Sequence, residues 1–129
     1  MHDLLTLGDL VADLVMPIPS LPVRAGEHQI SGGLFLEPGG MGNVLITAQR
    51  IGMRAAALGA LGDDWYGAQV RAALDGEGVD MGGVVEARGK TTSSCVTLVD
   101  ATGAHVFLSV RGDAHHMPLA DDWRMRVRR

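Results

Sequence analysis

Gly39, Gly40 and Gly42 crowd together in EPGGMGNVLITAQRIG (residues 37–52), with Asn43 immediately after them. Bare backbone where a chain turns into a helix leaves the first N–H groups of that helix unshielded. A polar or anionic ligand can approach closely there. A plain strand-to-helix turn accounts for the same glycines, and Asn43 reads either as a two-way hydrogen-bonding group for a ligand or as an N-cap. The dinucleotide fingerprint does not fit, because Leu45 stands where its third glycine is required. Asp9 and Asp13 lie at and just past the end of the first apolar run, the place where open α/β sheets bind ligands. An ionised carboxylate can receive two hydroxyl protons, which suits a polyol; an Asx-turn or cap is the structural reading of either residue.

Other reactive residue types fall in less favourable patterns. GVVEARGKTT (residues 83–92) resembles a phosphate loop, but it encloses five residues between Gly83 and Gly89 and runs into β-branched strand rather than helix. Lys90 is therefore read as a solvated turn residue. His115 and His116, with Asp121 and Asp122, give no metal site: adjacent histidines diverge and no third spaced ligand is present. Ser93, Ser94 and Cys95 lack a nucleophile turn, and Cys95 reads as a small buried apolar residue.

The elements that must position these groups follow from hydrophobic period and turn chemistry. Leu4 to Val11 predicts a buried strand, and Pro17, Pro19 and Pro22 predict an exposed connection over residues 14–26. His28 to Leu36 predicts a strand with a Gly-Gly bulge. Val44, Leu45, Ala48 and Ile51 recur at helical spacing up to Gly52. Arg54 to Leu61 predicts a second buried strand. Asp63-Asp64 then caps a helix with Tyr66, Val70, Ala73 and Leu74 inward, ending at Gly76. Val84-Val85 starts another extended piece. Ser94–Val99 and His105–Val110 predict a hairpin turning at Asp100–Gly103, and a helix is expected after Pro118. This alternation predicts an α/β fold with a partial parallel sheet, right-handed crossovers and flanking helices. Residues 14–37 and 91–110 break it and predict a small antiparallel sheet.

Composition is consistent with that picture. With 129 residues, 47% of them hydrophobic, the chain reads as one globular domain or part of a larger one. Four of 11 basic residues are Arg124, Arg126, Arg128 and Arg129, so residues 1–123 hold 7 basic against 15 acidic groups, a balance that argues against nucleic acid. The single cysteine, the absence of a signal peptide and the absence of a long apolar run predict a soluble protein in a reduced, cytoplasmic setting.

Taken in order, LTLGDLVADLV, EPGGMGNVLITAQRIG, ALGALGDDWYG, LDGEGVD and TTSSCVTLVDATGAHVFL resemble the N-terminal part of the ribokinase-like, phosphofructokinase-B type of sugar kinase, over about Leu4 to Ala114. The resemblance implies a kinase domain whose small β lid, about residues 14–37 and 91–110, closes over a sugar or related polyol. It implies that Asp13 and Asn43 bond substrate hydroxyls, that the backbone at Gly39, Gly40 and Gly42 does the same, and that the lid can form a homodimer contact. Intact relatives use ATP and Mg2+. The family's second motif, Asp-Thr-x-Gly-Ala-Gly-Asp, supplies the anion hole and catalytic base and is absent from these 129 residues. The expectation is a truncated, N-terminal fragment that carries the sugar half, binds no complete cofactor set, holds no metal and is inactive alone. Its rival is a non-catalytic sugar-binding or dimerisation module.

Overall fold

The computed structural model describes residues 1–116 and 121–127. Three parallel strands form one sheet in the order β1 (Leu4–Leu7), β4 (Ala55–Gly62), β5 (Asp80–Ala87). The central strand, β4, is buried along nearly its whole length, as expected of a parallel strand covered on both faces. Helices α1 (Met41–Arg50) and α2 (Trp65–Gly76) press Leu45, Val70 and Leu74 against Ala55, Ala57 and Leu61 of one face. Each fully buried leucine there contributes about 2 kcal/mol. Across the other face lies α3 (Asp121–Val127), whose buried Trp123 donates from Nε1 to the Gly83 carbonyl at 2.7 Å.

A second sheet has the order β3 (Phe35–Gly40), β2 (Leu10–Pro17), β6 (Ser94–Val99), β7 (His105–Val110). It is mixed: β2 pairs parallel with β6, and its other pairings are antiparallel. The first apolar run is thus two strands in two sheets. Gly8 gives its last sheet bond to Leu58 O at 3.3 Å, and the chain then turns away. Its backbone lies so near Gly59 that a Cβ on Gly59 would meet Gly8 O at 2.8 Å.

The proline-rich stretch also departs from expectation. Residues 14–17 are strand, not connection, and β2 is an inner strand. Pro17 is tolerated because pairing with β3 has already stopped at Val15, so no bond is lost on that side. No strand forms over residues 18–34; the expected strand at His28–Leu36 is replaced by β3, which begins only at Phe35, where β2 offers a partner. The hairpin β6–β7 and the caps of α2 fall where the sequence placed them. Pro118 and the terminal Arg128–Arg129 lie outside the described residues.

Candidate functional site

The two sheets meet where the chain passes from β1 into β2 and where β3 runs into α1. Register sets Val11 opposite Gly39 and Asp13 opposite Glu37. Asp13 and Gly39 therefore share one face of the second sheet, and they touch: a methyl group on Gly39 would overlap the Asp13 carboxylate. Only glycine leaves that carboxylate room. Gly40 has φ +56°, and a Cβ there would meet Asp9 O at 2.7 Å. The Met41 N–H donates to the same Asp9 carbonyl at 3.2 Å. Asp9 thus serves the turn through its backbone.

Gly40 is the N-cap of α1, with no side-chain cap bond, so the start of the helix stays open. Asn43 is not the N-cap. It sits exposed in the first turn, beside an open apolar groove lined by Leu4, Val44, Thr47 and Ile51. Gly42 has a packing role: it is buried, and a Cβ would meet Pro38 Cβ at 2.7 Å, so α1 lies closer to β3 than any larger residue allows. The inner stripe of α1 is Gly42, Leu45 and Ala48, while Val44 and Ile51, part of the apolar spacing that marked the helix, are 45% and 70% exposed.

Electrostatically the site is acidic. Burial and then the neighbouring Glu37 charge raise the Asp13 carboxyl above the ordinary carboxylate value. Among the described residues Asp13 accepts no hydrogen bond and has no ion pair. With no protein donor on them, the partly buried Asp13 oxygens remain open to hydroxyl donors from water or from a ligand. Glu37 was not singled out from sequence; the signal was the period-2 pairing of residues 35, 37 and 39 with 15, 13 and 11, which needs the register.

A small crevice of about 120 Å³ opens nearby at the carboxyl ends of β1 and β4, lined by Asp9, Gly59, Ser93, His115 and Trp123. His115 is engaged there, with Nδ1 at 2.5 Å from Gly112 O. The second sheet is anchored beside it by Asp64. Its carboxylate accepts from Gly67 N at 2.8 Å, capping α2, and from Thr92 N and Oγ1 at 2.8 and 2.7 Å. Burial opposes ionisation of Asp64, but the bonds from Thr92 and Gly67 outweigh it and hold the carboxyl below its ordinary value. Cys95 is a free, buried thiol beside the Ser109 hydroxyl. The described residues include no group of three or more His, Cys, Asp or Glu suited to a metal ion. None of their helices is long and apolar enough to cross a membrane.

Residues 1–123 match the pfkB family carbohydrate kinases. Fructokinase-1 of Zea mays is 35% identical over 119 residues, which cover 91% of this chain and 35% of the maize protein. Fructokinase-1 of Oryza sativa is 34% identical over 88% of the chain and 34% of its own length. The chain spans about a third of the length of these curated relatives. In structure, the Arabidopsis thaliana ribokinase complexed with ribose and ATP superposes with a TM-score of 0.79 at 26% identity, covering 98% of this chain and 42% of that one. The Cryptococcus neoformans ribokinase in complex with ADP gives a TM-score of 0.74 at 26% identity, covering 94% and 38%.

Proposed function

The chain belongs to the pfkB family of carbohydrate kinases, and on that premise we propose that it carries the sugar-binding part of an enzyme that moves the γ-phosphoryl group of ATP to a sugar hydroxyl. The observation that carries the reading is the Asp13 carboxylate, lying against bare Gly39 with no hydrogen-bond donor among the described residues. In this reading Asp13 accepts from substrate hydroxyls, and the backbone at Gly39 and Gly40 bonds the same sugar. Gly42 keeps α1 close enough to present its open first turn, and Asn43 contributes from that turn. The second sheet, with the connections around it at residues 14–37 and 91–110, is the lid. Its closure excludes water from the transferring group.

ATP, Mg2+ and the catalytic base belong, in this proposal, to the Asp-Thr-x-Gly-Ala-Gly-Asp part of the intact family enzyme. The 129 residues alone bind sugar without transferring phosphate, since phosphoryl transfer depends on positioning nucleotide and metal. The work is assigned to the cytoplasm, where ATP is at hand and Cys95 stays reduced. A second reading, a module that associates through the lid, is favoured by one observation. Val106, Leu108 and Val110 alternate along edge strand β7, all on one face, at 40%, 57% and 65% exposure.

Calorimetry and a coupled ADP-release assay on the purified chain test both parts. Saturable binding of D-fructose or D-ribose without nucleotide, and no ATP-dependent phosphorylation, is the expected result. Phosphorylation by the chain alone, or no sugar binding at all, contradicts it.

A further inference from the structure

Within the sugar site just proposed, on which this step rests, Glu37 has no assigned role. It lies directly opposite Asp13 across the antiparallel β2–β3 pair. The register continues to Cys95 on β6 and Ser109 on β7, so Glu37, Asp13, Cys95 and Ser109 form one row across a single face. Gly39 is the next position on that face of β3. Like charges set directly opposite on neighbouring strands destabilise a sheet. A sequence that keeps such a pair beside a bare glycine gives up stability at a ligand site.

The surrounding groups do not relieve the repulsion. Among the described residues neither carboxylate has a hydrogen bond or an ion pair. The next hydroxyl along the row, Ser109, donates to Cys95 Sγ at 3.2 Å. Arg50 feels the Glu37 charge, but its guanidinium is bonded to Glu77. A neutral polyol satisfies acceptors without removing the clash between two negative charges. An ammonium group does both: it has three donors and no acceptor, and each bond it makes to a carboxylate is charge-assisted.

We propose that Glu37 is a specificity-determining residue that acts with Asp13 to select a sugar bearing a protonated amine, an amino sugar, with the ammonium held between the two carboxylates and neighbouring hydroxyls on the Gly39–Gly40 backbone. The selection lies in Glu37, because its charge directly opposite Asp13 sets up a repulsion that a cation relieves and a neutral sugar does not.

The test is amide chemical-shift titration of the isotopically labelled 129-residue chain with D-glucosamine, D-glucose and N-acetyl-D-glucosamine at matched ionic strength. The readout is the Gly39 and Gly40 amides, in wild type and in Glu37→Gln, which removes a charge from an exposed position with little change of shape. Relief of the Asp13–Glu37 repulsion by the ammonium predicts about tenfold tighter binding of D-glucosamine than of either neutral sugar, with most of that preference lost in Glu37→Gln. Equal affinities in wild type, or a preference undiminished in Glu37→Gln, overturn the proposal. Shifts with neutral sugars but no amine preference overturn only the role of Glu37. If no sugar moves Gly39 or Gly40, the sugar-site reading itself falls, and this proposal with it.

Discussion

Replacing Asp64 by alanine removes two supports at once. One oxygen caps α2 through Gly67 N, and losing an N-cap costs about 1 kcal/mol. The other accepts the backbone N–H of Thr92, a residue only 4% exposed, and stranding a buried donor costs roughly 1–3 kcal/mol. Together these give about 3 kcal/mol. At about 2.1 cal/mol/K per residue, unfolding of 129 residues carries roughly 0.27 kcal/mol/K, so Tm should fall by about 10 °C. Asp64→Asn keeps one acceptor and should fall about half as far. Asp63→Ala, which loses a single exposed bond to Gly89 N, should stay within about 1 kcal/mol of wild type. Differential scanning calorimetry of the four proteins reads all of this. A drop below about 3 °C for Asp64→Ala, or one no larger than for Asp63→Ala, refutes the claim that this carboxylate ties the second sheet to the α/β body.

Other outcomes follow from the same structure. Asp13→Asn should raise stability by roughly 0.2–1 kcal/mol in urea unfolding, by relieving the cross-strand clash with Glu37, while abolishing sugar binding in calorimetry. Because the Asp64 carboxyl is held below its ordinary value of 3.8, its contribution is complete above that pH and is lost as pH falls through the lower folded value. Acid unfolding of Asp64→Ala should therefore show a shallower pH dependence below about pH 4 than wild type. Gly42→Ala should destabilise by about 1–3 kcal/mol, read by the same urea titration, since its methyl must push α1 off Pro38. Leu108→Lys should shift sedimentation towards smaller species if the exposed face of β7 mediates association.

Local chemistry explains what could be read without coordinates. The β6–β7 hairpin turns where Asp100 Oδ1 accepts from Thr102 and Gly103 takes φ +86°, both decided by neighbours in sequence. The start of α2 is likewise a cap within a few residues of itself. Elements decided by distant partners were not legible. Nothing in LLTLGDLV marks that Gly8 is where the chain changes sheets, because the apolar run continues on both sides. The limits of β3 depend on where β2 offers a partner, not on the β-propensity of residues 28–36. On α1, the apolar spacing of Val44, Leu45, Ala48 and Ile51 marks the helix but not its inner stripe, which includes Gly42, since glycine has no hydrophobicity to count yet permits the closest approach. The site divides the same way. Asp13 and the glycine turn stood out singly, but their contact, the Glu37 pairing and the use of the Asp9 carbonyl all arise from long-range register.

The central claim is that the Asp13 carboxylate and the Gly39–Gly40 backbone hold a sugar. A crystal structure of the chain soaked with D-fructose and, separately, D-glucosamine tests it most directly. The account predicts a sugar hydroxyl or amine within about 2.7–3.2 Å of an Asp13 oxygen, with the ring against Gly39 and Gly40. A sugar seated elsewhere, such as the crevice by His115 or the groove by Ile51, with Asp13 still without a donor, would contradict it.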